Sequence, residues 1–160
     1  MPQNDRLPDA HDDVGGLDEL DEKECWRLLA TQQLGRIAVV VGHYPLVFPV
    51  NYALDGEAIM FRTATGTKLH AIHSSNVTFE VDEIDVVHRG GWSVLVRGTA
   101  NEMGPRQYPL STDGVEAAGA SPWAPGERSH LVRIVSYQIT GRRIRPEELL
   151  PDRFDGRRYL

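Results

Sequence analysis

The sequence has little of several features that define whole classes of protein. Cys25 is the single cysteine, which excludes an intrachain disulfide and a cysteine-rich zinc site. No apolar run approaches the length of a membrane-spanning helix, and the N-terminus lacks the basic and then apolar pattern of a signal peptide. The 160 residues suffice for one ordinary domain but not for two. We therefore expect a soluble, cytoplasmic protein with a single folded domain.

Basic charge is also scarce, and the charge is unevenly distributed. The formal net charge is -6, and residues 1–24 hold nine acidic and two basic side chains. That segment therefore carries -7, which leaves the rest of the chain at +1. A nearly neutral body does not favour a broad nucleic-acid surface, although it allows a local basic pocket. An anionic small molecule is a better candidate partner than DNA or RNA.

Composition divides the chain into two tails and a central domain. Residues 1–16 have almost no apolar content and are predicted to be a disordered acidic tail. Residues 146–160 are predicted to be a polar, Arg-rich C-terminal tail. The domain between them covers residues 17–145 and contains all the periodic apolar patterns.

Apolar patterns in this domain predict a helix followed by six strands. The helix begins at Asp21, ends near residues 33–35 and holds Cys25 as a buried, inert thiol. The first three strands follow one another through short turns, which is typical of an antiparallel meander. We expect a mainly β fold with a few short helices, arranged as a small antiparallel barrel. The predicted strands cover residues 36–41, 46–53, 58–63, 76–83, 92–102 and 131–140.

Residues 61–72 concentrate the polar chemistry. Their first half continues a strand and their second half has helix-forming composition, so the join falls at residues 65–67. Backbone N–H groups at a helix start lack intrahelical partners, so we predict a phosphate site here. The alternative is that Thr67 merely caps a short helix. Three hydroxyls and two cations are expected to point the same way, those of Thr63, Thr65, Thr67, Arg62 and Lys68.

Pro49 interrupts the second strand, because proline cannot donate a ladder hydrogen bond. The backbone of residues 50–52 can therefore present its remaining N–H and C=O groups to a flat polar heterocycle. An ordinary edge strand with an exposed Asn51 is an equally good interpretation. The interrupted strand and the apolar faces of residues 92–96 leave surfaces that an interface would cover, so we expect a homodimer.

A loop tryptophan and a pair of histidines are two further features of the sequence that could belong to sites. Trp123 lies in a loop rich in proline and glycine, where it is a pocket wall, a partner contact or simple packing. His70 and His73 are three residues apart, but no third ligand accompanies them, so no metal site is predicted.

Five segments in a fixed order carry a resemblance to a known family. They are LGRIA (34–38), FPVNY (48–52), FRTATGTKL (61–69), GWSVLVRG (91–98) and ITGRRI (139–144). Together they resemble the pyridoxamine 5'-phosphate oxidase-like, FMN-binding split-barrel family, in its short actinobacterial-type branch. The resemblance implies a split β-barrel homodimer that binds FMN in two clefts at the dimer interface.

The resemblance also assigns residues to the flavin. The phosphate and ribityl chain would be bound by Arg62, Thr63, Gly66, Thr67 and Lys68. The isoalloxazine ring would be lined by Pro49, Val50, Asn51 and Tyr52, with Trp92 and Ser93 near the same cleft. The Arg-x-His substrate motif of true pyridoxamine-phosphate oxidases is missing from residues 141–145, so oxidation of vitamin B6 is not expected.

Two functions follow from this assignment. The first is a flavin-dependent oxidoreductase that transfers hydride or electrons between FMN and a small molecule, with NADH or NADPH as a candidate reductant. No side chain is assigned as a catalytic acid, base or nucleophile. The second is a non-catalytic flavin-binding or sensing protein of the same fold. Members of the wider superfamily also bind a deazaflavin or haem, so a deazaflavin-dependent reductase is a further alternative.

Overall fold

Seven antiparallel strands and a helix form the part of the chain that the structure describes. The computed structural model describes residues 17–66, 70, 72, 75–104, 126 and 129–146. The predicted tails, apart from residue 146, and Trp123 lie outside these residues. In chain order the elements are β1 (Leu17–Leu20), α1 (Glu22–Leu29), β2 (Leu34–Val41), β3 (Tyr44–Asp55), β4 (Ala58–Thr63), β5 (Ser75–Asp85), β6 (Gly90–Glu102) and β7 (His130–Ile144).

The sheet closes into a barrel because β7 pairs on both of its edges. The strand order is β1-β7-β4-β3-β2-β5-β6, and β6 pairs back onto β7. One edge of β7 follows β6 along almost its whole length. Its other edge is divided between β4, which pairs with His130 to Val135, and β1, which pairs with Gly141 to Ile144. The predicted antiparallel barrel is therefore confirmed, and it is split where β4 and β1 leave β7.

Alternate residues of the strands fill the barrel. Ile59 and Phe61 of β4 are fully buried in the main core. The rings of Tyr52 and Phe79 pack edge to face there, with centroids 5.0 Å apart and planes at 73°. Met60 points to the opposite face of β4, where it forms a second cluster with Ala53, Leu131 and Met103. Both faces of β4 are therefore covered, and its position in the sheet is fixed from two sides.

The helix α1 begins where the sequence predicts. Asp21 is its N-cap, and the Asp21 carboxylate accepts a hydrogen bond of 2.8 Å from the backbone N–H of Glu24. Cys25, Leu28 and Leu29 face the barrel and are buried. Burial also raises the pKa of the Cys25 thiol, which agrees with its prediction as an inert core residue.

The predicted end of this helix is wrong. The helix stops at Leu29, because the backbone N–H and the hydroxyl of Thr31 both donate to the Leu28 carbonyl, at 2.9 and 2.7 Å. The Tyr52 hydroxyl donates to the next carbonyl, that of Leu29, at 2.5 Å. These hydrogen bonds occupy carbonyl groups that a longer helix would use as acceptors for its own backbone N–H groups. No helix in the described ranges has both the length and the apolar character required to cross a membrane.

The strand β1 is absent from the sequence-based prediction. It has only four residues, too few for a reliable alternation, and its partner β7 is more than a hundred residues away. Its acidic residues meet basic ones, with Asp18 opposite Arg143 and Glu19 opposite Arg142. The other six strands lie where predicted, although most begin or end a few residues beyond the predicted limits.

Glu24 links α1 to β7 and should make stability depend on pH. Its carboxylate bonds Arg27 at 2.6 and 2.8 Å and Arg143 at 2.7 Å. Hydrogen bonds from Arg27 and then Arg143 lower the pKa of Glu24 from 4.5 to about 2. Because the folded pKa is the lower one, this stabilisation is complete above pH 4.5 and is lost as the pH falls through about 2.

We therefore expect Glu24→Gln to lower the urea midpoint of unfolding at pH 7, and the difference from wild type to shrink as the pH falls from 4.5 towards 2. Glu22→Gln is the matched control, since it removes an acid from the same helical turn. A difference between Glu24→Gln and wild type that stays constant across this pH range would contradict the assignment.

Candidate functional site

The end of β4 lies beside the edge of β3 that contains Pro49. The ladder between these strands has Tyr52 opposite Phe61 as its last pair. Arg62 and Thr63 extend β4 by two residues, opposite Leu131 and His130 of β7. Residues 49–51 of β3 and the chain that leaves β4 therefore extend from the same end of this ladder. The two segments predicted to hold the two ends of a flavin adjoin in the fold.

The strand-to-helix join is present in the described residues. Beyond the end of β4, Gly66 has φ 150°, a backbone conformation that residues with a side chain rarely adopt. A Cβ at this position would meet nothing within 4 Å. The Gly66 carbonyl accepts a bond of 3.1 Å from the backbone N–H of His70, which is one helical turn. Ile72 of the same turn is buried in the barrel core. Thr67 and Lys68 lie outside the described residues, as does His73.

Arg62 and Thr63 do not point the same way. They are consecutive in a strand, so their side chains leave opposite faces of the sheet. Thr63 is only 2% exposed, on the face of Phe61, and its hydroxyl donates to the Ala64 carbonyl at 3.4 Å. Arg62 is half-buried on the face of Met60, and its Nε atom is shielded from solvent. The prediction that all these groups share one direction is wrong for Thr63, because strand alternation turns its hydroxyl inward.

A polar chain that sequence reasoning missed lies at this end of the barrel. The Thr65 hydroxyl is 2.8 Å from Nε2 of His130, and Nδ1 of His130 is 2.5 Å from the Glu102 carboxylate. Thr65 is exposed, while the side chains of His130 and Glu102 are about one third exposed or less. Each residue comes from a different element, the join, β7 and β6. No local pattern predicts the contact, because 65 and 28 residues separate His130 from its two partners.

The predicted ring-binding segment faces two ways. Pro49 is exposed and Asn51 is half-buried, whereas Val50 and Tyr52 are 5% and 1% exposed and lie in the core. The Asn51 amide donates to the Gln33 carbonyl at 3.2 Å, and the Tyr52 backbone N–H donates to the same carbonyl at 3.1 Å. Burial strongly raises the pKa of Tyr52. The side chains of Val50 and Tyr52 therefore belong to the core, and the predicted contact of these two residues with a ring stays a prediction that concerns their backbone groups.

Trp92 and Ser93 lie at the far end of the barrel from Arg62. Trp92 pairs with Arg143 of β7, whereas Arg62 pairs with Leu131 of the same strand. These two positions on β7 are twelve residues apart, about 40 Å of extended chain. Within one chain, Trp92 and Ser93 therefore lie apart from Arg62 along β7, and their predicted place near the same cleft at a dimer interface stays a prediction.

Comparison with known proteins gives consistent matches over the domain. The family model described as pyridoxamine 5'-phosphate oxidase matches residues 21–143. An uncharacterized protein of Mycobacterium tuberculosis is 37% identical over 107 residues, which are 62% of this chain and 86% of that protein.

Two solved structures share both fold and sequence with this chain. The FAD binding protein of Mycobacterium smegmatis is 38% identical, with a TM-score of 0.60, over 81% of this chain and 99% of that one. An FAD-binding protein of Mesorhizobium loti is 25% identical, with a TM-score of 0.72, over 81% of this chain and 97% of that one. The family match covers the barrel from α1 to β7, including the join and the edge of β3. The chain belongs to the pyridoxamine 5'-phosphate oxidase family.

Proposed function

We propose that this chain binds a phosphorylated flavin at the join after β4 and acts as a flavin-dependent oxidoreductase. The observation that carries the proposal is the register that stops the β3–β4 ladder at Tyr52 and Phe61. It sets a segment with a guanidinium and an exposed hydroxyl against a segment with an exposed proline and a half-buried amide. One segment suits an anion and the other suits a flat polar ring.

The described residues fit the phosphate end of such a ligand. Arg62 supplies a permanently charged, fork-shaped donor, and Thr65 supplies an exposed hydroxyl. The space that a side chain at Gly66 would occupy is open, with nothing within 4 Å of a Cβ there. The Glu102 carboxylate, which is linked to Thr65 through His130, is bonded to that histidine. We add Lys68 to this set as a prediction from the sequence.

The ring end rests on fewer side chains. Pro49 offers an exposed apolar surface, and Asn51 is held in place by its bond to the Gln33 carbonyl. A bound flavin supplies the transfer of hydride or electrons. The protein's part is to orient the ring and limit its contact with water, so no acid or base among the side chains is assigned.

FMN and FAD are both candidates. The resemblance of the sequence implies FMN, whereas the two solved relatives are FAD-binding proteins. Each flavin places a phosphate on the ribityl chain, so the proposed contacts at Arg62 and Thr65 apply to both. The absorbance spectrum of the protein as isolated tests the proposal, because flavin, deazaflavin and haem have distinct spectra. A deazaflavin or haem spectrum would overturn it.

A non-catalytic flavin-binding or sensing role is the second candidate. The fold does not decide between catalysis and binding, because the same barrel can position a flavin for either. Anaerobic mixing with NADH or NADPH separates them. Loss of the flavin absorbance within the time of an enzymatic turnover supports the oxidoreductase. A flavin that stays oxidised supports the non-catalytic binding or sensing role.

We further propose that the functional unit is a homodimer. The outer face of the barrel exposes several aliphatic side chains: Val40 is 66% exposed, Val47 59% and Leu95 42%. The separation of Trp92 from Arg62 along β7 also favours a dimer, because the contact of Trp92 and Ser93 with the flavin that the family resemblance implies would then come from a second copy.

Light scattering at micromolar concentration is therefore expected to give twice the mass of one chain. Val47→Asp should shift the protein towards monomer, because it places a charge in an apolar interface. Val86→Asp, at an 82% exposed position in the β5–β6 turn, is the matched control and should not. A monomeric wild type would contradict the proposal.

A further inference from the structure

The chain Thr65–His130–Glu102 constrains where three hydrogen atoms sit. An ionised carboxylate only accepts hydrogen bonds, so the contact with Glu102 requires a hydrogen on Nδ1 of His130. Nδ1 therefore carries a hydrogen whether the imidazole is neutral or charged. The state of Nε2, which faces Thr65 at 2.8 Å, is then fixed by the charge of the ring.

The charge of His130 in turn decides what Thr65 offers to a ligand. A hydroxyl has one hydrogen to donate. When His130 is neutral, Nε2 is an acceptor and takes the Thr65 hydrogen, so only lone pairs remain for a guest. When His130 is protonated, Nε2 donates to the Thr65 oxygen and the hydroxyl hydrogen is released. Only this second state lets Thr65 donate to a phosphate oxygen, which is itself only an acceptor when ionised.

We infer that His130, held by Glu102, is a positioning residue that couples binding of the flavin phosphate at Thr65 to uptake of a proton. The inference rests on the proposed function, since it needs a phosphate at the join. It adds to that function a linkage between cofactor affinity and pH. The phosphate binds more tightly as the pH falls, because protonation of His130 turns the Thr65 hydroxyl into a donor.

The groups around His130 in the described structure are consistent with this coupling. Glu102 of β6 is its carboxylate partner, and Thr65 of the join is its hydroxyl partner. On β4, Thr63 lies opposite His130, and Arg62 leaves the other face of the sheet. His70 directs its Nδ1 to the Gly66 carbonyl at 2.9 Å, and Arg133 of β7 pairs with Asp55 at 3.4 Å. Glu102 is therefore the charged group in direct contact with the ring.

Calorimetric titration of the full-length chain with FMN measures the coupling directly. The titration is repeated in buffers of different ionisation enthalpy, so that the dependence of the observed heat on the buffer gives the number of protons taken up. The phosphate of FMN has its own ionisation near pH 6, and this contribution is common to all variants. We expect wild type to take up more protons than Thr65→Val, by up to about one per FMN.

Glu102→Gln provides the sharper comparison. A glutamine amide can donate to Nδ1, so neutral His130 is free to carry its hydrogen on Nε2 and donate to Thr65. The extra proton uptake should therefore disappear although His130 is still present. The affinity of wild type for FMN should also fall more steeply with rising pH than that of Glu102→Gln. His130→Gln, whose amide nitrogen can donate to Thr65 at any pH, should behave in the same way.

The outcomes separate this inference from the function it rests on. Equal proton uptake in wild type, Thr65→Val and Glu102→Gln, with FMN bound by all three, overturns the coupling and leaves the flavin site intact. Failure of wild type to bind FMN or FAD overturns the proposed function itself. Riboflavin is the ligand control, because without a phosphate it should show no extra uptake in wild type. Thermal unfolding of each variant confirms that it is folded before titration.

Discussion

Arg62→Ala is expected to weaken FMN binding about ten- to a hundredfold. A hydrogen bond between a charged donor and a charged acceptor contributes roughly 1.5 to 3 kcal/mol, and each 1.4 kcal/mol is about tenfold in affinity. Arg62 leaves β4 immediately before the join, and its half-buried side chain holds the guanidinium near one position. We expect the same loss for Lys68→Ala, since the sequence places a second cation at the join.

The controls for Arg62 separate phosphate binding from folding. Arg62 lies opposite Leu131 beside the second apolar cluster, so its truncation also removes packing of its aliphatic stem. Arg62→Lys keeps a charge and most of the stem, and should recover part of the affinity. Arg97→Ala, on a strand that does not pair with β4, removes a cation without affecting the site. Equal losses of affinity for FMN and riboflavin in Arg62→Ala would show that Arg62 does not bind the phosphate.

Tyr52→Ala should cost about 3 to 5 kcal/mol of unfolding free energy, as for other large aromatic truncations in a core. Tyr52 is 1% exposed, and its ring packs edge to face with Phe79. Its hydroxyl also bonds the Leu29 carbonyl, a helix-end group that would otherwise lack that donor. Urea unfolding of the protein without flavin measures the loss.

Tyr52→Phe distinguishes a structural role from a role in binding. It keeps the ring and leaves the Leu29 carbonyl with only the longer bond of 3.4 Å from the Gln32 backbone N–H, so we expect a loss of about 0.5 to 1.5 kcal/mol in stability. Its affinity for FMN should stay close to wild type. A large loss of FMN affinity with unchanged stability would show that the Tyr52 hydroxyl itself takes part in binding.

Most strands of the barrel can be predicted from the sequence, because the alternation of apolar and polar residues along a strand is a local pattern. Val94 and Val96 are buried and Leu95 is exposed, which is the alternation expected of a strand. The N-terminus of α1 is equally local, since one carboxylate at Asp21 caps it. The end of α1 is not local. It depends on Thr31 and on Tyr52 of β3, whose hydroxyls donate hydrogen bonds to the last carbonyl groups of the helix.

The sequence predicts the candidate site only where the residues of the site follow one another along the chain. Residues 61–72 show a strand, a glycine and a helical pattern in one stretch, and the Gly66–His70 turn bears out the join. The direction of each side chain at the join is a different matter. Thr63 turns inward because its strand runs through it without a break, which composition does not show.

The parts of the site that come from distant strands could not be found in the sequence. His130 meets Glu102 because β7 and β6 pair, and it meets Thr65 because β7 also pairs with β4. The family resemblance assigns Trp92 and Arg62 to one cleft, whereas the register of β7 separates them within one chain. The register of strand pairing determines both the contacts of His130 and the separation of Trp92 from Arg62, and the alternation of residues in the sequence does not specify that register.

The central claim is that the join after β4 binds the phosphate of a flavin. Equilibrium binding of FMN and of riboflavin to the flavin-free full-length chain tests it most directly, because the two ligands share the ring and the ribityl chain and differ in the phosphate. We predict that FMN binds at least about tenfold more tightly than riboflavin, from the charged hydrogen bonds of the phosphate. Equal dissociation constants for the two ligands would contradict the claim.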